Sequence, residues 1–353
     1  MARHWQRRPL LVRAALPDFA APLSRTELFA LAARDDVESR LVRKTARGWS
    51  LVHGPFARSS LPPVRQRAWT LLVQGVDLHH AAAHDLLGRF RFVPDARLDD
   101  VMISWASDGG GVGPHVDSYD VFLLQARGRR RWRIARRFDA ALDERAPLKV
   151  LRRFAAEEEY VLEPGDLLYL PPNWAHEGVA FGGDCMTCSI GMRAPQRGTL
   201  AGEIAQRLAE TYDDATLYRD PQQRATASPA EIPPPLARFA ADALQRLAAQ
   251  PAAVSRALGE VLSDPKPHVW FTKRAAPWRP GAVALDRRTR MLYDSRHVYI
   301  NGEAVAVSGH DAALLRALAD ERSLDARAAR GASRFAQRLL KEWVAAGWIR
   351  SKR

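Results

Sequence analysis

The stretch that most constrains this chain is Gly109-Gly-Gly-Val-Gly-Pro-His115-Val-Asp117, completed further along by Glu163-Pro-Gly-Asp-Leu-Leu-Tyr-Leu-Pro-Pro-Asn-Trp-Ala-His176. In a β-strand alternate residues share a face, so His115 and Asp117 point the same way. The second stretch reads as a turn at Gly165-Asp166, a short apolar strand, a proline-stiffened turn and a strand carrying His176. Two imidazoles and one carboxylate on one face of a metal, with the opposite face open, are the ligand set of a non-haem Fe(II) oxygenase. Each half is weak alone. A bare His-x-Asp is commonplace, and a histidine after a proline turn is often a cap or a core residue. That bland reading of His176 explains neither His115 nor Asp117.

The flanking sequence supports a small barrel or double-sheet roll. Short strands are expected at Val101–Trp105, Val121–Arg127, Arg129–Ala135, Tyr160–Leu162, Asp166–Leu170, Gly178–Phe181 and Cys185–Met192, separated by Gly and Pro turns. Upstream, Val37–Arg43, Trp49–His53 and Ala68–Gln74 read as strands. Ser24 and Glu27 form a capping box for a helix over Leu28–Ala33, and Asp77–Leu87 reads as a further helix. In Arg129–Ile134, period-two alternation puts Arg130, Trp132 and Ile134 on one face. The face with Trp and Ile is the interior one, which buries Arg130. A buried guanidinium demands an anionic partner. A dicarboxylate cosubstrate would supply one bidentately; an internal pair with Asp117 or Glu163 is the alternative.

Composition narrows the class. At 353 residues the chain is expected to hold two or three domains. No run approaches the roughly 20 apolar residues of a membrane span. The N-terminal Met-Ala-Arg-His-Trp lacks the apolar core of a secretory signal, and a cytoplasmic setting is expected. The only cysteines, Cys185 and Cys188, fall three apart in a strand and face opposite ways, so they read as packing residues. His79, His80 and His84 read as ordinary surface or packing residues. Net charge is +13, and residues 265–353 carry 18 of the 53 Lys and Arg but 8 of the 40 Asp and Glu. Such a basic segment suits a nucleic-acid or ribonucleoprotein neighbour; an arginine-rich solvated surface explains it equally well.

Beyond residue 195 the pattern turns helical. Gly198–Tyr212, Leu236–Ala249 and Pro251–Leu262 read as amphipathic helices, the second with Phe239, Ala243, Leu244 and Leu247 as its stripe. Residues 265–353 look like a winged helix. Strands are expected at Met291–Asp294 and through a hairpin turned at Asn301-Gly302, then helices at His310–Ala319 and Ser333–Ala346.

These motifs carry a resemblance. His4-Trp-Gln-Arg-Arg-Pro-Leu, His53-Gly-Pro-Phe, Trp69-Thr-Leu-Leu-Val-Gln, Gly109–Asp117, Tyr119-Asp-Val-Phe, Gly128-Arg-Arg-Arg-Trp-Arg, Glu163-Pro-Gly-Asp and Pro171–His176 together span residues 4 to about 195. In them the chain resembles the JmjC-type 2-oxoglutarate oxygenases that act on ribosomal proteins. The resemblance implies a mainly β catalytic domain (a cupin-like double-stranded β-helix) over 1–195, an α-helical dimerisation module over 196–264 and a C-terminal winged helix over 265–353. It implies Fe(II) on His115, Asp117 and His176. Arg130 would bind the distal carboxylate of 2-oxoglutarate, and Ser104 a further part of cosubstrate or substrate. Dioxygen would be the third reactant, and an arginine of large-subunit ribosomal protein sixteen the hydroxylated group. Such a substrate needs an acidic reader at the mouth, for which Asp108 and Asp120 are candidates. They also suit turn or solvent roles. The stripes of the three helices permit either a homodimer or an intrachain core.

Two readings from different classes follow. One is a protein hydroxylase. The other is a ligand-sensing cupin joined to a winged-helix DNA reader, a transcription regulator without catalysis. The complete triad with an inward Arg130 favours the enzyme, since a sensor needs no redox metal.

Overall fold

The computed structural model describes residues 1–273 and 279–352, so Arg274 and Arg353, part of the basic segment, lie outside the described residues. The chain divides into two compact units, 1–194 and 195–353.

In chain order the first unit contains β1 (Leu10–Val12), α1 (Arg25–Leu31), β2 (Ser39–Thr45), β3 (Gly48–His53), β4 (Trp69–Val73), α2 (Val76–His79) and α3 (Ala81–Gly88). There follow β5 (Leu98–Ala106), β6 (His115–Val116), β7 (Val121–Ala135), β8 (Glu158–Leu162), β9 (Leu167–Leu170) and β10 (Ala175–Met192). The strands run β1-β9-β7-β10-β5-β4-β2-β3, with β6 added to β10 and β8 to β7. The capping box forms as expected: Ser24 Oγ accepts from Glu27 N at 3.2 Å, and the Glu27 carboxylate accepts from Ser24 N at 2.7 Å.

Two expectations are corrected. The single helix over Asp77–Leu87 is two short helices, because His80 is extended (φ −128°, ψ 130°). Asp77, buried in α2, accepts from Val101 N at 2.8 Å and pins that turn onto β5. The four strands expected around Gly128 and Gly182-Gly183 are instead two long ones, β7 and β10, paired along most of their length. Gly128 (φ +62°), Gly182 (φ +83°), Gly183 (φ +75°) and Asp184 (φ +42°) bend them at one level. A Cβ on Gly128 would lie 2.8 Å from the Asp184 carbonyl oxygen, so only glycine permits this crossing.

The bend organises the unit. The first part of β7 pairs with β9 and with the end of β10; its second part pairs with β8 and the start of β10. The two strands therefore run through two layers of a roll, and the register shift at the bend changes which parity faces inward. Val121 and Leu123 line the interior before it, Arg130 and Trp132 after it. On the outer face of the larger layer, Leu71, Val73, Ile103, Trp105, Cys188 and Ile190 bury against Leu28, Phe29, Val76 and Leu86 of the helices. At roughly 1.5–3 kcal/mol per fully buried large side chain, this face supplies much of the unit's stability. Cys185 packs in a separate cluster with Ala106 and Ala180, and both cysteines are free and buried.

The second unit contains α4 (Arg197–Thr211), α5 (Pro234–Ala248), α6 (Pro251–Ser263), β11 (Val283–Leu285), β12 (Met291–Tyr293), β13 (His297–Ile300) and β14 (Glu303–Ala306). After these come α7 (Gly309–Glu321), β15 (Ser323–Leu324), α8 (Ala326–Gly331), α9 (Arg334–Ala346) and β16 (Ile349–Ser351). The Asn301-Gly302 turn forms, with φ of +48° and +88°, as a two-residue hairpin requires. The helix α6 packs directly on the β12-β13-β14 sheet. A Cβ on Gly259 would meet the Tyr299 ring at 2.2 Å, and Gly302 N donates to Ser263 Oγ at 3.2 Å. The helical segment and the winged helix thus share one body. By contrast, α5 buries none of its residues; of its stripe, Leu244 is 67% exposed. No helix among the described residues is long and apolar enough to cross a membrane.

Candidate active site

Three backbone devices converge on one point. The glycine-rich turn brings β6 against the start of β10, and His115 and His176 are direct cross-strand partners. Gly111 can approach so closely only without a side chain, since a Cβ there would lie 2.5 Å from the Gly178 carbonyl oxygen. Asp117 follows β6 by the strand parity. Its Oδ1 lies 4.0 Å from His115 Nε2 and its Oδ2 3.7 Å from His176 Nε2. One ligand atom from each residue falls within 4.8 Å of the others, the one such grouping found among the described residues. The three histidines at 79, 80 and 84 form none.

The donor set fits a metal. Each imidazole Nδ1 is 3.0 Å from a backbone carbonyl, Gly113 for His115 and Trp174 for His176. Donation from Nδ1–H to those carbonyls fixes the tautomer and leaves both Nε2 lone pairs facing Asp117. His176 is 3% exposed. Burial, then the neighbouring His115, lower its pKa to about 4, so it is a neutral ligand at neutral pH. Two nitrogens and one carboxylate oxygen suit a first-row divalent ion with open positions.

The same residues line a cavity of about 500 Å³. Its walls include Val42, Leu72, Val121 and Leu123, with Ser104, Thr187 and Ser189 as hydroxyls. Arg130 is 4% exposed, and its Nε and Nη2 are buried without a hydrogen-bond partner. The pair with Asp117 or Glu163 weighed from the sequence does not form. Trp132 lies beside it, 5.8 Å from ring centroid to guanidinium carbon, with its own Nε1 also unpartnered. An unpaired buried guanidinium costs several kcal/mol, so the site is built for an anion that completes it. Ser104 is buried on β5 and lines the cavity.

The two acidic readers fall elsewhere. Asp108 accepts from Gly182 N at 3.0 Å and pairs with Arg67 at 2.9 Å, tying the glycine-rich turn to the β10 bend. Asp120 is 0% exposed and accepts from Tyr169 Oη at 2.6 Å, Gln6 Nε2 at 2.9 Å and Arg97 Nη2 at 3.2 Å. Neither lines the cavity; Asp99, Asp100 and Asp117 are its acidic residues. Thr187, Ser189, Tyr119, Arg40, Gln74 and Lys149 also line it and were not singled out from the sequence. A signal existed for the first two. In Met186–Ile190 polar and apolar residues alternate, and the polar parity is the inward one. Arg40 and Gln74 are brought in by strands remote in sequence, which leaves no local mark.

Fold, triad and cavity define a JmjC-domain protein. Residues 85–200 match the JmjC domain family and residues 244–350 the ROXA-like winged helix family. Over 318 residues the chain is 35% identical to the ribosomal protein uL16 3-hydroxylase of Escherichia coli, covering 86% of this chain and 84% of that one. It is 34% identical over 219 residues to a probable ribosomal oxygenase of Haemophilus influenzae, covering 61% and 54%. A solved structure of E. coli YcfD aligns with TM-score 0.88 at 32% identity over 99% of this chain and 96% of that one. Another, a complex of that ribosomal oxygenase with cobalt and 2-oxoglutarate, aligns with TM-score 0.84 at 32% identity over the same shares. The chain belongs to the JmjC-domain ribosomal oxygenase family, which decides for the enzyme over the transcription regulator.

Proposed function

We propose that this protein is an Fe(II)- and 2-oxoglutarate-dependent hydroxylase acting on an arginine side chain of ribosomal protein uL16. The observation that carries the chemistry is Arg130: a buried, unpaired guanidinium facing the same cavity as His115, Asp117 and His176. The uL16 assignment rests on the name of the E. coli relative.

In this reading His115, Asp117 and His176 hold the iron. When bound, Fe(II) supplies activation of dioxygen coupled to oxidative decarboxylation of 2-oxoglutarate to succinate and carbon dioxide. The residues of the chain position and exclude. The Gly113 and Trp174 carbonyls hold the two imidazoles in the ligating tautomer. Arg130 receives the distal carboxylate of 2-oxoglutarate and fixes the cosubstrate's orientation. Ser104 adds a hydroxyl on the facing strand. Val42, Leu72, Val121 and Leu123 keep water from the reacting carbon.

The test is mass spectrometry of uL16, or its arginine-containing peptide, after incubation with protein, Fe(II), 2-oxoglutarate and oxygen. A gain of one oxygen on arginine is expected, lost in His115→Ala and Arg130→Ala. Cosubstrate turnover without oxidation of the peptide would discard uL16 and keep the oxygenase. The exposed Leu244 of α5 supports a homodimer, to be read by light scattering as twice the chain mass and lost in Leu244→Glu. A ribosomal substrate supports a cytoplasmic setting.

A further inference from the structure

One free edge of the large sheet borders the cavity. The strand β3 ends the strand order and pairs only with β2. Thr45 and Gly48 flank a two-residue turn, and past the other end of the hairpin Gly54 N donates to Ser39 O at 2.8 Å. Hydrogen-bonded and non-bonded pairs alternate along such a hairpin. Arg43–Ser50 and Leu41–Val52 are therefore bonded pairs, and Lys44–Trp49, Val42–Leu51 and Arg40–His53 are not. Lys44 N accordingly turns away from β3 and donates to Ala68 O at 2.9 Å. On β3 the N–H and C=O of Trp49, Leu51 and His53 point outward, and no other backbone among the described residues bonds to them.

The side-chain faces follow from the same register. Val42 and its cross-strand partner Leu51 line the cavity, as does Arg40 opposite His53. Trp49, on that face too, packs on the glycine-rich turn, where a Cβ on Gly113 would lie 2.8 Å from its ring. Leu41 faces the other way into the core, and its partner Val52 is 51% exposed. Sheets ordinarily guard a free edge with charge, proline, a bulge or a very short strand. The other edges of this unit are guarded. The strands β1 and β6 have three and two residues. The strand β8 carries Glu158 and Glu159, and Arg13 Nη1 covers its Val161 carbonyl at 2.7 Å. By contrast β3 runs six residues, Gly-Trp-Ser-Leu-Val-His, in unbroken register, with no acid, lysine, arginine or proline.

We propose that the free edge of β3 receives the substrate polypeptide as an added strand, held by main-chain hydrogen bonds on both sides of the residue to be hydroxylated. The choice of substrate as the occupant rests on the reading above, in which a protein side chain must enter this cavity. A backbone added to β3 lies about 4.8 Å from it. Its residues opposite Trp49, Leu51 and His53 turn their side chains to the face that Val42 and Leu51 share with the cavity. The residues between them turn away. Main-chain pairing then holds the peptide whatever its sequence, and the cavity selects the side chain.

The test is residue-resolved amide hydrogen exchange of the full-length protein, with zinc in place of iron so that a uL16 peptide binds without turnover. The amides of Trp49, Leu51 and His53 should exchange freely alone and slow by about tenfold or more with peptide. Those of Ser50 and Val52, already bonded to β2, should be protected in both states. With iron restored, N-methylation of the peptide backbone at alternate positions should raise KM by about tenfold or more, and at the positions between by less than about threefold. Leu51→Pro, which removes one outward N–H at a place where an edge strand tolerates proline, should raise the peptide KM well beyond Leu51→Ala. Oxidation of the peptide without slowed exchange at the edge, or a methylation series without alternation, overturns the proposal and leaves the uL16 assignment standing. A peptide neither bound nor oxidised overturns both. Protection that appears with protein concentration in the absence of peptide assigns the edge to a second copy of the chain and overturns the proposal.

Discussion

Two sets of arginines in this molecule sit in opposite surroundings. Arg130, in the roll of the first unit, is buried with two of its nitrogens unpartnered; Arg334 and Arg338, on α9 of the second, stand in solvent. The same side chain does different work in the two places. A buried cation whose desolvation nothing in the chain offsets selects one small anion of fixed shape. A row of exposed cations selects by number and spacing, weakly for each and strongly in sum, and yields to salt. Counting charge in the sequence cannot separate the two, since both raise the net charge equally.

The largest effect should come from the site itself. His176→Ala should abolish iron binding and turnover, read by metal analysis and succinate release, and leave the fold of the second unit untouched. Next is Arg130→Met. Losing the partner of a buried carboxylate costs about 2–5 kcal/mol in kcat/KM for 2-oxoglutarate, which is at least about thirtyfold. The thermal midpoint of the ligand-free protein should not fall, because the variant removes an unpaired buried charge. A fall of several degrees would show that Arg130 has a partner inside the fold and would break the comparison.

Acid should separate the units. Burial lowers the pKa of His176 to about 4, below the ordinary histidine value of about 6.5. The folded value lies below the unfolded one, so the unfolded chain takes up the proton first. The metal-free protein keeps this stability above about pH 6.5 and loses on the order of 2–3 kcal/mol as pH falls toward 4. Urea midpoints at pH 7 and 4.5 measure it, and His176→Gln should flatten the dependence.

A matched pair of glycines gives a smaller effect. A Cβ on Gly178 would meet the Trp132 ring at 2.7 Å, and one on Gly259 the Tyr299 ring at 2.2 Å. Each Ala variant should lose about 1–3 kcal/mol. Only Gly178→Ala, beside Arg130, should raise the KM for 2-oxoglutarate. The smallest effect is expected from Arg129→Met, one residue from Arg130 but on the outer face. Its change in stability should stay within about 0.5 kcal/mol and its cosubstrate kinetics should match wild type.

The sequence by itself determined the parts of this protein that depend on local periodicity. His115 and Asp117 share a face because strands alternate, and Arg130 turns inward with Trp132 and Ile134 for the same reason. The Ser24–Glu27 box and the Asn301-Gly302 turn are likewise local chemistry, fixed by residues a few positions apart. Only the tertiary structure decided the rest. The bends at Gly128 and Gly182–Asp184 join four expected strands into two and reverse the inward parity, which depends on a close approach of two backbones far apart in sequence. Asp108 and Asp120 looked like acidic readers by their place near the motif, yet their carboxylates are committed to Arg67 and Gly182 and to Tyr169, Gln6 and Arg97. Whether a polar group is free for a ligand depends on which partners the fold brings within hydrogen-bond distance, and those partners come from anywhere in the chain.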